Sequence, residues 1–560
     1  MDRMGSDDSG DPPRIDPVTL EVFRNRLEGI AEEMGRTLIR GAYSPNIKER
    51  RDCSTALFDA EGRMVAQAEH IPVHLGAMPA AVSAVRDRDP RPGDVFVLND
   101  PFTGGTHLPD VTLVSTIAPD VDAASDSEPE IVGYAVSRAH HADVGGMTPG
   151  SMPAGARDIH QEGLCIPPIR LVANGELRED VRSLVLANVR NAGERRADLR
   201  AQLAANERGE RRLSDLIDEY GRDVVFAGFD AVIEYSRERI TEAIAELPDG
   251  TYAATDVLEG DGVSDEDIPI RVAVTIDGST VDVDFSGTAG QLEGNLNAPS
   301  AVARSAVYFV VRCITDPDIP PNEGCYDPVT VTVPEGTLLN PEPPAAVVGG
   351  NVETSQRVTD VVFTALARAA PDRVPAQGQG TMNNLTVGAR DGSFAYYETI
   401  GGGFGARPDR DGMDGVHVGM TNTLNTPVES IENEYPMSIE RYALRPGSGG
   451  DGEFRGGLGI ERVLTIETDA TVSILSERRR HRPRGVSGGE DGALGENLID
   501  GEPVPAKATV EIDPGTTVTI RTPGGGGHGD PADRDPEATA NDRRNGTDRD
   551  SDQEPRTGEE

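Results

Sequence analysis

Six of the nine histidines in this 560-residue chain fall between positions 70 and 160: His70, His74, His107, His140, His141 and His160. Imidazole is a common borderline-soft ligand, and carboxylates beside it suit Mn, Fe or Zn. Three short stretches pair the two groups. Residues 99–110 read NDPFTGGTHLPD, 137–146 read SRAHHADVGG and 158–163 read DIHQEG. In the first, Asp100, His107 and Asp110 are candidates, and Gly104-Gly105 frees the backbone to bend. In the second, His140 and Asp143 converge on one ion if the chain turns between them. His140 and His141 point in different directions on an extended backbone, so one is a ligand and the other suits ligand support or substrate contact. His160 and Glu162 complete the set. The chemistry expected of such a set is that of a divalent ion, which polarises a substrate oxygen and lowers the pKa of water. His70 and His74 flank Pro72, which breaks helical i,i+4 geometry, so they read as core or cleft-wall residues.

Other chemistries find less support. The glycine clusters at 401–405 (GGGFG), 447–459 (GSGGDGEFRGGLG) and 524–527 are not phosphate loops, because a Walker motif needs a lysine after its glycines. The only lysines, Lys48 and Lys507, follow no such cluster. ATP chemistry, if any, belongs to another chain, and the clusters read as turns. No GxSxG occurs. Cys53, Cys165, Cys313 and Cys325 are far apart and form no CxxC, which reads as a reduced, cytoplasmic protein with inert thiols. Cys165 alone lies close in sequence to the candidate metal stretches, and it too reads first as a packing residue.

Asp and Glu total 96 against 53 Lys and Arg, a net charge of −43. That charge repels phosphate backbones and argues against a nucleic-acid partner. No apolar run approaches the length of a membrane-crossing helix, and the opening MDRMGSDDSGDPP has no secretory apolar region. Dense carboxylates stay hydrated, and concentrated salt screens their repulsion. The composition, nearly free of lysine, resembles that of proteins from salt-accumulating archaea and leads us to expect a halophilic protein.

The elements that must position the candidates are legible in outline. Asp16-Pro17 caps and opens a helix whose apolar residues Leu20, Phe23, Leu27, Ile30, Met34 and Leu38 share one face. Residues 54–68 read as strand, turn and strand, 94–99 as a short strand, and 131–137 as a strand after an acidic insertion at 120–130. Residues 272–285 alternate on both sides of Asp277-Gly278, a hairpin signal. Residues 301–313 and 355–369 read as helices. The expected fold class is α+β, or irregular α/β, with mixed sheets, packed helices and a β-rich C-terminal part. The expected organisation is a disordered arm (1–15), an α/β part with the metal site (16–178) and a mainly helical segment (179–250). A second α/β part (251–380), a β-rich part (381–530) and a disordered acidic tail (531–560) follow.

Longer motifs carry a family resemblance. Residues 47–79 read IKERRDCSTALFDAEGRMVAQAEHIPVHLGAMP, 99–113 NDPFTGGTHLPDVTL and 137–153 SRAHHADVGGMTPGSMP. Further on come ADLRAQLAAN (197–206), PPNEGCYDPVTVTVPEGTLLNP (320–341), GGNVETSQRVTDVV (349–362) and TPGGGGHGDP (522–531). From about residue 16 to 530 the chain resembles the B-type component of the hydantoinase/oxoprolinase family, whose relatives include subunits of acetone and acetophenone carboxylases. The resemblance implies a partner, a hydantoinase A-type subunit that binds ATP and phosphorylates a small cyclic amide. It implies a divalent metal on this chain, at residues matching Asp110, His140, Asp143 and His160, where water opens the activated ring. His141 and Glu162 are the candidates for proton transfer or ligand support. Within the same resemblance, a carboxylase subunit is the alternative activity, and a non-catalytic scaffold for the ATPase is the alternative of another class.

Overall fold

The computed structural model describes residues 15–119 and 129–548. The expected arm, most of the acidic insertion and residues 549–560 therefore lie outside the described residues. The first helix, Pro17–Gly41, begins as its cap dictates: the Asp16 carboxylate accepts from the backbone N–H groups of Val18 and Thr19 at 2.9 and 3.2 Å. It buries Phe23, Leu27, Ile30, Met34 and Leu38 and packs along helix Ala192–Tyr220.

Both helices cover one face of a seven-stranded antiparallel sheet. Its strands are β1 (Cys53–Asp59), β2 (Met64–Glu69), β3 (Val95–Leu98), β4 (Asp110–Ile117), β5 (Gly133–His140), β6 (Ile169–Ala173) and β7 (Glu176–Leu177), in the order β2-β1-β5-β4-β3-β6-β7. Side chains alternate along a strand, and both faces are buried. Leu57 and Ala135 join the helical core, whereas Ala56, Phe58 and Val136 join a second core on the opposite face. That second core holds the sheet of β8 (Gly250–Glu259), β9 (Asp267–Asp277), β10 (Thr280–Asp284) and β11 (Val329–Thr332), with helices Ser300–Ile314 and Ser355–Leu366. The hairpin forms at the expected turn, with Asp277 opposite Thr280. Beyond residue 381 two further antiparallel sheets enclose a core of their own. The fold is α+β, as the patterning leads one to expect. Among the described residues no helix is long and apolar enough to cross a membrane.

Two findings differ from the sequence reading. The glycine clusters are not simple turns; several run as extended segments packed backbone to backbone. Gly525 donates to the Gly457 carbonyl and Gly457 to the Phe404 carbonyl, at 2.9 and 2.8 Å. A Cβ built on Gly525 would stand 2.1 Å from the Phe404 oxygen, and one on Gly403 would stand 2.2 Å from the Gly525 nitrogen. Gly525→Ala must push these segments apart, which costs about 1–3 kcal/mol. It is expected to lower the urea midpoint, whereas Gly193→Ala, in a helix with open space around it, does not.

The second difference is the tail. Residues 531–548 do not bear out the expected disorder. Helix Pro536–Asn545 is capped by Asp535 and tied to the body through Arg534, which pairs with Asp411 at 2.8 Å and Asp542 at 2.7 Å. Composition counts what a segment can bury; here the docking contacts are ion pairs.

Candidate metal centre

Asp110 opens β4 and His140 closes β5, and the two are direct cross-strand partners. The backbone anchors both ends: His140 N–H donates to the Asp52 carbonyl at 3.0 Å and His141 N–H to the Pro109 carbonyl at 2.8 Å. The loop before β4 doubles back on itself. Gly105 N–H donates to the Asp100 carbonyl at 2.8 Å, and a Cβ on Gly105 would stand 2.4 Å from the Asn99 oxygen. The bend that Gly104-Gly105 permits thus returns His107 to Asp110, the i,i+3 neighbour.

His107, Asp110 and His140 each offer a ligand atom within 4.8 Å of the others, and all three side chains are buried. Asp110 Oδ1 lies 3.2 Å from His140 Nδ1, and Oδ2 lies 3.2 Å from His107 Nδ1 and 3.3 Å from His74 Nε2. Thr106 Oγ1 donates to Oδ2 at 3.0 Å. Burial opposes ionisation of Asp110, but the imidazoles around it, His107 first, outweigh that and hold the carboxyl well below its ordinary range. Burial pushes the His107 pKa down, against the pull of Asp110. An ionised carboxylate only accepts, so His140 Nδ1 and His74 Nε2 carry the protons facing it. His74 Nδ1 then accepts from Ser54 Oγ at 2.9 Å, and His140 Nε2 is left as a lone pair. Neither ring nitrogen of His107, nor His140 Nε2, has a hydrogen-bond partner, although all are buried. Buried polar atoms are rarely left so. Orphaned imidazole nitrogens beside one carboxylate are the donor set of a divalent ion such as Mn, Fe or Zn, and the residues fit it. The His140 ring stacks on Tyr397, centroids 4.5 Å apart and 15° from parallel. Beside it is a cavity of about 20 Å³, room for one water-sized group, lined in part by Asp52, Asn351, Tyr397, Thr399, Thr421 and Thr423.

Of the residues the sequence pointed to, Asp110 and His140 come together, joined by His107 with His74 behind. Asp143 and His160 do not join them. The Asp143 carboxylate accepts from Gly145 N–H, Gly150 N–H and Arg190 N–H, each at 2.9 Å, and from Arg190 Nη1 at 3.0 Å, so its lone pairs are occupied in a loop. His160 is exposed on the short helix Ile159–Glu162. His141 is buried against Gln202 Oε1 at 3.0 Å, its pKa lowered to about 4 chiefly by burial. Glu162 is buried and accepts from the N–H groups of Val347 and Val348 at 2.9 and 3.0 Å. Asp100 caps its own turn through Phe102 N–H. The Cys165 thiol is pushed up to about 12 by burial and by Asp100, which makes it unreactive. The part of His74 is the one the sequence reading missed. Pro72 broke the helical spacing, but the 3₁₀ turn Pro72–His74 turns the ring inward without a helix.

An α+β chain with a buried centre of two histidines and one aspartate, fed by adjacent strands, is the class that fold and site define. The chain belongs to the hydantoinase B/oxoprolinase family, whose model matches residues 16–531. It is 41% identical to 5-oxoprolinase 1 of Arabidopsis thaliana over 92% of this chain but only 42% of that protein. It is 32% identical to the putative B component of a D-/L-hydantoinase from a Pseudomonas species, covering 95% of this chain and 93% of that one. The crystal structure of the ATP-dependent caprolactamase from Pseudomonas jessenii superposes with a TM-score of 0.87 at 32% identity, over 96% of this chain and 95% of that one.

Proposed function

We propose that this chain is the B-type component of an ATP-dependent enzyme that opens cyclic amides, with His107, Asp110 and His140 holding a divalent ion. The observation that carries the reading is the set of buried, unpartnered imidazole nitrogens around Asp110. Relatives named for oxoproline, hydantoin and caprolactam support the substrate class. The chain spans less than half of 5-oxoprolinase 1 but nearly all of the hydantoinase B component. With the missing Walker lysine, this supports the reading that an A-type component, rather than these residues, binds ATP. Four free cysteines fit a cytoplasmic setting.

When bound, the ion supplies Lewis acidity toward the oxygen of the activated amide and toward water. The chain's own residues supply the frame. Asp110 is kept ionised by the imidazoles around it, His107 first, and is fixed by contacts with His74, His140 and Thr106. His140 presents Nε2 because Nδ1 is engaged and the ring is clamped on Tyr397. Burial excludes bulk water, which strengthens each electrostatic contact. His141, through Gln202, and Glu162, through Val347 and Val348, act as positioning residues. The segment Glu162 holds leads into Asn351 and Val352 of the cavity wall.

The reading is tested by purifying the chain with its A-type partner and measuring ATP-dependent ring opening of 5-oxoproline, hydantoin and caprolactam. Turnover of any ring with stoichiometric ATP use is expected. Bicarbonate-dependent ketone consumption, or ring opening without partner and ATP, would overturn it.

Glu162 gives a pH prediction. Burial pushes its carboxyl up to about 8, against the two N–H donors. Between its ordinary range and pH 8 the unfolded chain holds it ionised and the folded chain holds it protonated, so stability falls as pH rises. The slope is at most about 1.4 kcal/mol per pH unit. Glu162→Gln keeps the accepting oxygen and loses the titration. Its stability relative to wild type should grow from pH 5 to pH 8 in urea unfolding; a constant difference would mean that Glu162 is ionised in the fold.

We also propose that the surface charge is an adaptation to salt. Activity and native near-ultraviolet dichroism should both decline on dialysis to about 0.1 M salt, where screening is weaker; full activity there would exclude it.

A further inference from the structure

Tyr397, which stacks on His140, also adjoins a buried cation that forms no ion pair among the described residues. The Arg50 side chain is fully buried, and its guanidinium sits 5.2 Å from the centre of the Tyr397 ring. It donates to the Tyr397 carbonyl at 3.1 Å, to Thr423 Oγ1 at 3.2 Å and to Thr399 Oγ1. Among the described residues no carboxylate forms an ion pair with it. Buried charges are ordinarily paired; here Asp52 and Asp110 line the adjoining cavity without forming an ion pair with Arg50, so its charge acts on the hydroxyls between.

The hydroxyls in front of Arg50 are aimed by elimination. Guanidinium only donates, so both Thr399 and Thr423 accept from it. The two oxygens are 2.9 Å apart, and that contact uses one of their two protons. The next acceptor is His417. Its Nε2 faces Asn425 Oδ1 at 3.1 Å, and that oxygen also accepts from Gly401 N–H, while Asn425 Nδ2 donates to Tyr442. His417 Nε2 therefore carries the proton and Nδ1 accepts. Burial and the Arg50 charge push the His417 pKa down to about 3, so the ring stays neutral. Nδ1 can take one proton, from Thr421 at 3.4 Å or Thr423 at 3.5 Å. Three threonine protons meet two acceptors. One hydroxyl proton is left, and all three threonines line the cavity that Asp110 and His140 also line.

We infer that this threonine wall, charged from behind by Arg50, donates a hydrogen bond to one anionic oxygen of the activated substrate, opposite His140. The inference rests on the metal-centre reading above and adds a second anchor to that site. The cavity admits a single oxygen, and that oxygen could belong to a phosphoryl group or to the acyl group being attacked. Donors preset toward developing charge in a dry site act strongly on rate. The three threonines together would supply this one catalytic donor, with Arg50 a positioning residue bonded to Thr399 and Thr423.

The test uses the full-length chain loaded with Mn²⁺, its metal content measured by elemental analysis, and calorimetric titration with orthophosphate and, separately, acetate. The Thr399→Val/Thr423→Val variant is expected to keep its Mn²⁺ and to bind one of the anions at least about tenfold more weakly than wild type. With partner and ATP its kcat should fall about 10²–10³-fold with little change in KM. A loss confined to orthophosphate assigns the phosphoryl oxygen, and a loss confined to acetate assigns the acyl oxygen. Thr423→Ser, which keeps the hydroxyl, should lose less anion affinity and less kcat than the valine variants. Should the double variant fail to fold, the single valine variants are each expected to show about a threefold loss of anion affinity. Unchanged affinity in the valine variants, equal loss in Thr423→Ser, or a wild type that binds neither anion would overturn the inference. A wild type that takes up no Mn²⁺ would instead remove the metal-centre reading.

Discussion

A His107→Ala chain is expected to lose its divalent ion and, with partner and ATP present, to open rings at least about 10³-fold more slowly, a barrier several kcal/mol higher. The reason is local. His107 brings two of the three buried nitrogens whose hydrogen-bond geometry is unmet, Nδ1 standing 3.2 Å from Asp110 Oδ2 and Nε2 facing no partner. Removing the ring leaves Asp110 and His140, too few protein donors to retain a transition metal against solvent. The variant should stay folded, because the loop geometry is held by Gly105 and Asn99 backbone contacts rather than by the ring. His140→Ala should behave alike, and His160→Ala should keep its ion and activity because that ring is exposed and elsewhere. Elemental analysis of the three purified variants decides the matter. Full metal content in His107→Ala would remove the centre as placed here.

The second large effect concerns folding. Arg357, fully buried on helix Ser355–Leu366, stands 3.6 Å from Asp256, 3.2 Å from Asp360 and 3.4 Å from Glu477. These acids come from β8, from the helix itself and from the segment after strand Ala470–Leu475, so one guanidinium ties three parts of the fold. Arg478 shares Asp360 at 2.5 Å, and Lys507, one of only two lysines, pairs with Glu477 at 2.5 Å. Arg357→Met removes one partner and leaves buried carboxylates under-compensated, which costs about 3–5 kcal/mol. Already in the wild type, burial pushes Asp360 up to about 7 although Arg357 opposes it. Without Arg357 the folded pKa of Asp360 rises further, because Arg357 is the charge that opposes the rise. An acid with a raised folded pKa loses stability as pH rises, so the deficit should be larger at pH 8 than at pH 5. Urea unfolding at the two pH values checks this; a deficit independent of pH would assign the loss to packing instead of charge.

How far the residues announce these features depends on range. The Asp16-Pro17 cap, the 272–285 hairpin and the helices at 301–313 and 355–369 follow from contacts within a few positions, and each forms where expected. The His-and-carboxylate stretches were also visible, and two of the four residues carried over by resemblance, Asp110 and His140, meet. Asp143 has the same chemistry as Asp110. What separates them is that three backbone N–H groups and Arg190 surround the first, while imidazoles surround the second. No pattern in DVGG or LPDV encodes that difference. The tail misled for a related reason, since its ion-pair partners Asp411 and Arg455 lie some 80 to 130 residues away in the chain.

Long motifs carried the family resemblance, and residue types and local spacing by themselves determined the α+β class, the lack of a Walker lysine and the neighbourhood of the candidate metal. Tertiary structure alone decided which imidazoles share Asp110. It did so through the β4–β5 register, which sets Asp110 opposite His140 across thirty positions, and through the glycine bend that folds His107 back. It also set three distant threonines around the same cavity, two of them bonded to Arg50. Ligand sets are closed by strand pairing and loop reversal, and those are settled by burial of whole sheets rather than by the residues that do the chemistry.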